Sequence, residues 1–132
     1  ANYIANGVAH ARKLTQKGFD TYIISGHIKP VTEAIVGTTG IELISRFNFT
    51  KAFVGTNGIE FDAGFSTPEI DEGLIKEAVV KHSYMTFILG DHTKFRRVFP
   101  VSFAPINKCC IITDYVPDEK YLEATVIKEV SK

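Results

Sequence analysis

The chain has little of what would commit it to a metal, a disulfide framework, a membrane or a polyanion. Its only two cysteines, Cys109 and Cys110, are neighbours in an apolar run, where successive strand side chains face opposite ways. That placement reads as core packing, not as a disulfide framework or a metal site. His10, His27 and His82 are scattered without the spacing of metal ligands, so neither metal nor cofactor is expected. Charge of one sign is missing too. Fifteen basic residues balance fifteen acidic ones, leaving no whole-molecule field to draw DNA, RNA or an anionic membrane. No apolar run approaches the roughly 18 residues of a membrane span, and no signal peptide stands at the start, so a cytoplasmic protein without a membrane partner is expected. There the glycosylation-like tripeptide Asn48-Phe49-Thr50 carries no meaning. Gly-x-Ser-x-Gly and Gly-x-x-x-x-Gly-Lys are both absent, which removes the usual machinery of acyl transfer and nucleotide hydrolysis. With no repeat, low-complexity tract or proline-rich linker, residues 1–132 read as one domain.

What is present is apolar pattern. Hydrophobic residues make up 45% of the chain, enough to bury a core without covalent staples. Ile4, Val8, Ala11 and Leu14 recur at helical spacing, with Gly18 as terminator. Residues 21–24 and 31–36 read as extended, and Thr39 with Glu42 forms a capping-box pattern ahead of Ile44 and Phe47. Residues 52–54 read as a buried strand. Thr67-Pro68 supplies an N-cap and a first-turn proline to a helix that has Glu69, Asp71 and Glu72 near its start and Ile70, Leu74, Ala78 and Val79 on one apolar face. Strands are expected over residues 84–89, 109–113 and 124–130, with a short helix at 117–122. Near-continuous apolar strands alternating with helices argue for an α/β fold, a doubly wound, mostly parallel sheet with helices on both faces.

In such a sheet ligands bind beyond the carboxyl ends of the strands. Three strands end in polar loops that contain glycine: Ser25-Gly26, Gly55-Thr56-Asn57-Gly58 and Gly90-Asp91-His92-Thr93-Lys94. Backbone N–H groups at glycines approach an anion closely, and a lysine adds a point charge for a phosphate, so together the loops suit a small phosphorylated polyol. Each has a plainer explanation. Glycines after strands are turn residues first, Lys76 can form an i,i+4 ion pair with Glu72, Asp91 and Lys94 can satisfy one another, and His92 reads equally as a solvated loop residue or a base.

Read in order, residues 32–37 (Thr-Glu-Ala-Ile-Val-Gly), 51–59 (Lys-Ala-Phe-Val-Gly-Thr-Asn-Gly-Ile) and 64–68 (Gly-Phe-Ser-Thr-Pro) resemble the effector domain of DeoR-type repressors. Asp91-His92-Thr93-Lys94-Phe95 is similar to that family's Asp-Ser-Ser-Lys-Phe segment, and Ile111-Ile112-Thr113-Asp114 to its Ile-Thr-Asp strand end. Residues 32–37 and 55–59 look closest to repressors of fructose and related sugar operons. The resemblance implies a fold related to ribose phosphate isomerases, a sugar phosphate effector, and a winged helix-turn-helix DNA-binding domain on the amino-terminal side. By the family's pattern the first strand of the sensor domain, with its Gly-Thr-Thr phosphate loop, would also lie upstream of residue 1. Carried over position by position, the resemblance sets Asn57 and Gly58 in the loop facing the sugar, Asp91 and Lys94 in the neighbouring loop, and Lys76 on the helix between. With the strand-end reading, the candidate effector-binding residues are Gly26, Gly55, Thr56, Asn57, Gly58, Lys76, Asp91 and Lys94. Residues 90–93 depart from the small residues usual there.

Two other functions compete. The first is a sugar phosphate isomerase on the same fold, since fold alone does not decide function. Those isomerases resemble Asp-Gly-Ala-Asp-Glu where this chain has Val54-Gly55-Thr56-Asn57-Gly58, without carboxylates for proton transfer, so no enzyme is expected. The second is an oligomerisation module, with Phe95, Val98, Phe99 and Phe103 as an exposed subunit contact. A homo-oligomer is compatible with sensing, because repressors commonly bind paired half-sites.

Overall fold

The computed structural model describes residues 2–23, 27, 28, 30 and 35–130. The chain divides into two compact units, Ala1–Phe47 and Asn48–Lys132.

In the first unit, strand β1 (Asn2–Ala5) leads into helix α1 (Val8–Gln16), and strand β2 (Asp20–Ile23) returns parallel to β1. The helix expected from Ile4 thus starts four residues later, because Ile4 pairs with Tyr22 in the ladder and the extended Gly7 is the N-cap. Its stop is as expected. Gly18 has a φ of +83°, the left-handed conformation that lets its own N–H and that of Phe19 bond back to Thr15 and Leu14. Strands β3 (His27–Ile28) and β4 (Ile35–Val36) pair antiparallel. Residues 31–34 of the expected extended segment, and the Ser25-Gly26 loop, lie outside the described residues. Helix α2 (Thr38–Ser45) does not use its capping box. Gly37, at a φ of +124° that only glycine adopts readily, is the N-cap, which puts Thr39 inside the first turn, and no side chain caps the end.

In the second unit the chain runs through strands β5 (Phe49–Gly55), β6 (Gly58–Glu60) and β7 (Gly64–Thr67), helix α3 (Ile70–Lys81) and strand β8 (Ser83–Leu89). A 3-10 turn (His92–Lys94), strand β9 (Val101–Ala104), strand β10 (Cys110–Thr113), helix α4 (Lys120–Ala124) and strand β11 (Ile127–Glu129) follow. The final strand is shorter than expected because α4 takes the chain as far as Ala124. Four strands form an all-parallel sheet in the order β11-β10-β8-β5. Its alternation is regular. Ala52 and Val54 of β5, Thr86 and Ile88 of β8, and Ile111 and Thr113 of β10 are buried, so period 2 puts them on one face.

Against the expectation of a mostly parallel sheet stands a second, antiparallel one, β6-β7-β9. Its hairpin is closed by the Glu60 carboxylate, which accepts from the amides of Asp62 (3.0 Å) and Ala63 (2.6 Å). The two sheets share a core of Ile59, Phe65, Ile88, Phe103, Ile111 and Tyr121. The fold is therefore α/β, with two parallel sheets (β1-β2 and β11-β10-β8-β5), two antiparallel ones (β3-β4 and β6-β7-β9) and four helices among the described residues.

Helix α3 also differs in detail. Thr67 is the buried last residue of β7, Pro68 stands outside the helix, and Glu69 is the N-cap. Asp71 and Glu72 occupy the first turn as expected. Ile70 and Leu74, however, are 56% and 40% exposed, and the buried stripe is Gly73, Ile75 and Ala78. Gly73 belongs to it because the helix approaches β9 so closely there that an added Cβ would stand 2.5 Å from Val101 Cγ1. The expected exposed contact of Phe95, Val98, Phe99 and Phe103 does not exist as such. Phe95 and Phe103 are core residues, 5% and 3% exposed, Phe99 is half-buried, and of the four only Val98 is exposed. Phe95 is drawn in by a bridge to Ile59 and by Tyr121, whose ring centroid lies 5.0 Å from its own. The neighbouring thiols separate as strand geometry requires, with Cys109 buried and Cys110 half-buried. Burial pushes Cys109 up to about 11, and the adjacent Cys110 adds to the rise.

Candidate functional site

Strands β5, β8 and β10 are successive parallel neighbours, so their carboxyl ends lie side by side and bring together the loops that follow Gly55, Leu89 and Thr113. Gly90 joins the three. Its amide donates to Ile112 O at 3.2 Å, and a side-chain carbon there would stand 3.3 Å from Thr56 Cγ2 and from Lys94 Cγ. A larger residue at 90 would push the loops apart.

The first loop is closed on itself. Thr56 is buried, and its hydroxyl faces Gly58 O at 2.9 Å and Ser66 O at 3.2 Å. The Asn57 amide donates to Ser66 O at 3.1 Å, and its side-chain oxygen accepts from the Thr67 hydroxyl at 3.0 Å. Gly58 is packed over. An added Cβ would meet Arg97 O at 2.5 Å and Ser66 Oγ at 2.6 Å. Gly55, by contrast, has open space where a Cβ would be, and its carbonyl accepts from Lys76 Nζ at 2.9 Å.

Lys76 thus belongs to the strand end. The i,i+4 ion pair with Glu72 is not formed within 4.0 Å among the described residues, because the ammonium is spent on Gly55 and lies 5.5 Å from the centroid of the Phe103 ring. Burial holds its pKa below the usual lysine range, and the field of Glu72 opposes the fall.

In the second loop Asp91 does not pair with Lys94 either. Its carboxylate accepts from the hydroxyl of Thr93 and, at 2.9 Å, from its amide, capping the 3-10 turn. The hydroxyl first, then the amide, hold the Asp91 carboxyl below the ordinary carboxylate range. The half-buried Lys94 donates its backbone N–H to Asp91 O at 3.1 Å. Its ammonium makes no hydrogen bond or ion pair among the described residues.

Sequence reasoning passed over the contact that organises this end of the sheet. The Asp114 carboxylate, just past β10, accepts from the His92 amide at 2.7 Å with Oδ1 and lies 2.6 Å from His92 Nδ1 with Oδ2. Oδ1 also accepts from the Tyr115 amide at 2.9 Å and the Thr113 hydroxyl at 3.2 Å. The His92 ring stacks on Tyr115, with centroids 4.3 Å apart and planes 17° from parallel. Desolvation alone would raise the Asp114 pKa, but the bonds from the His92 ring and amide and the Tyr115 amide hold it well below the ordinary range. One signal was available. An Asp at one strand end and a His at the start of the loop after the adjacent strand are within reach whenever those strands are neighbours.

Of the eight candidates, the structure gathers Gly55, Thr56, Asn57, Gly58 and Lys76 around one turn and sets Asp91 and Lys94 on the adjoining one. Gly26 lies outside the described residues. An open depression of about 270 Å³ exists elsewhere, lined by Asp62, Ala63, Glu77 and residues 102–105. Its only charged groups are acidic, which disfavours an anion there. Among the described residues no three His, Cys, Asp or Glu side chains gather as a metal ion would require, and no helix is long and apolar enough to cross a membrane.

Comparison with known proteins adds a family. The model of the DeoR C terminal sensor domain matches residues 2–115. A protein named as an uncharacterized HTH-type transcriptional regulator, FruR of Bacillus subtilis, is 35% identical over 130 residues, 96% of this chain and 52% of its own length. The lactose phosphotransferase system repressor of Staphylococcus aureus is 29% identical over 77% of this chain and 41% of its own. The HTH-type regulator GlpR of Haloferax volcanii is 30% identical over 84% and 44%. The chain spans about half the length of the curated relatives it matches.

Proposed function

Because this chain belongs to the DeoR C-terminal sensor domain family, we propose that it is the effector-sensing domain of a transcriptional repressor and binds a phosphorylated sugar where β5, β8 and β10 end. Residues 1–132 are read as that domain, with a separate winged helix-turn-helix domain doing the DNA binding. The names of relatives that are repressors and HTH-type regulators support this. The observation that carries the ligand class is Lys94, whose stem packs beside Gly90 at the junction of the strand-end loops and whose ammonium makes no hydrogen bond or ion pair among the described residues. Lys94 supplies a point charge for a phosphate there, and the loop after Gly55 comes close to it through the contact of Thr56 with Gly90.

The fold is read as a doubly wound one related to that of ribose phosphate isomerases, in a cytoplasmic homo-oligomer. Ligand binding shifts the arrangement of subunits and thereby operator affinity, which requires that the ligand bind one arrangement better than the other. The reading is of a sensor and not an isomerase. The loop over residues 55–58 has no carboxylate, and Asp91 and Asp114 are committed to Thr93 and His92.

A thermal-shift screen of pentose and hexose phosphates on the intact protein tests this. A shift with at least one of them, lost in Lys94→Ala, is expected. Absence of a shift with all of them sinks the sensor reading, and an unchanged shift in Lys94→Ala removes that residue from the site.

A further inference from the structure

His92 is held more firmly than a solvated loop residue needs to be. One carboxylate takes both its amide, at 2.7 Å, and its ring nitrogen Nδ1, at 2.6 Å, while Tyr115 stacks on the ring face. Backbone position, ring rotation and tautomer are fixed together. The Asp114 carboxylate has only acceptor atoms, so Nδ1 carries the hydrogen, and a neutral ring then has its lone pair on Nε2. A carboxylate that orients an imidazole in this way leaves the second nitrogen for another partner. Nε2 has none among the described residues, and the His92 side chain keeps 37% of its surface exposed. The residue lies two positions from Gly90, where the loops meet, and two from Lys94.

The roles of these two residues are chemically distinct. Lys94 offers a charge that donates and cannot accept, which suits a phosphate. His92 offers an oriented acceptor on a ring stacked against the half-open Tyr115, which suits a hydroxyl on a carbon skeleton. Resting on the sugar-phosphate reading above, we propose that His92 is a specificity-determining residue. Its Nε2 accepts a hydrogen bond from a hydroxyl of the polyol part of the ligand, Asp114 positions it, and Lys94 holds the phosphate. The site then separates a sugar phosphate from phosphate alone by this one bond.

The test is an NMR titration of the intact protein with inorganic phosphate and with ribose 5-phosphate, glucose 6-phosphate and fructose 6-phosphate. His92→Asn keeps an amide nitrogen able to donate to Asp114 but has no atom at the place of Nε2. It should weaken the best-bound sugar phosphate about tenfold, the worth of one neutral hydrogen bond, and leave inorganic phosphate within about twofold. Asp114→Asn reverses the ring's hydrogen, so it should weaken the sugar phosphate in the His92 protein and add nothing in His92→Asn. Thermal unfolding of each variant checks that it is folded. Equal weakening of both ligands by His92→Asn, no weakening of either, or additive effects of the two substitutions would overturn the assignment to His92 while leaving the sensor reading intact. Failure of the unsubstituted protein to bind any of the three sugar phosphates overturns both.

Discussion

The two turns that meet at Gly90 differ in where their polar groups are spent. The turn over residues 55–58 turns inward. The Thr56 hydroxyl and the Asn57 amide go to neighbouring carbonyls, the Asn57 side-chain oxygen goes to Thr67, and Gly58 lies under the backbone of Arg97. The turn over residues 90–94 turns outward. It satisfies its own backbone through Asp91 and Asp114, and leaves the ammonium of Lys94 and one nitrogen of His92 without partners among the described residues. The glycine-rich sequence that looks most like an anion cradle is the better-packed of the two, and the accessible chemistry sits next door.

The largest effect expected from breaking that contrast is in the first turn. Gly58→Ala places a Cβ 2.5 Å from a backbone oxygen that cannot swing aside, and overpacking of this kind costs about 1–3 kcal/mol. The midpoint of thermal unfolding should fall by several degrees. Gly55→Ala, three residues earlier in open space, should leave the midpoint almost unchanged. Equal behaviour of the two would mean that the inward turn is not as tightly packed as its geometry requires.

A smaller loss is expected at the anchor of the second turn. Asp114→Ala leaves the amides of His92 and Tyr115 without their acceptor, and the unfolding midpoint should fall by less than in Gly58→Ala. The same group gives the turn a pH dependence. The Asp114 carboxyl is held below its ordinary value in the folded chain, so its contribution is fully present above the unfolded carboxylate value near 4. It is lost as pH falls through the lower folded value. Asp91, lowered by Thr93, acts in the same direction. Below about pH 4 the Asp114→Ala protein should therefore lose stability less steeply than the parent, as read by unfolding midpoints across an acid series.

Much of this arrangement was legible beforehand. The runs around Val54, Ile88 and Ile111 are short, apolar and followed by glycine or aspartate, so both the strands and the polar loops at their ends could be read from local pattern. The antiparallel sheet could not. Ser66 and Thr67 are completely buried in β7, yet Thr67 reads in sequence as a helix cap, because this burial depends on β9 more than thirty residues away. The buried stripe of α3 was hidden for a related reason. Gly73 is there to let β9 approach, and a pattern that scores apolar side chains passes over a glycine chosen for its small size. Lys76 shows the limit of spacing arguments. Glu72 is the visible partner at i−4, while the carbonyl that takes the ammonium belongs to Gly55, 21 residues back.

The smallest effect on stability, and the sharpest separation of the two turns, is expected for Lys94→Ala. The ammonium makes no hydrogen bond or ion pair among the described residues, so its removal leaves no group unsatisfied, and the unfolding free energy should stay within about 0.5 kcal/mol of the parent. The aliphatic part of the side chain lies beside Gly90, so a small loss of packing is the most the fold should register. Binding should respond in the opposite proportion, because an ammonium that makes no hydrogen bond or ion pair among the described residues is available to a phosphate. A denaturant titration and a sugar-phosphate titration of the same preparation measure both quantities. Unchanged stability with lost binding makes residues 90–94 the recognition turn and residues 55–58 its scaffold. A large loss of stability would show that Lys94 is a structural residue and that the outward turn differs less from the inward one than its free groups imply.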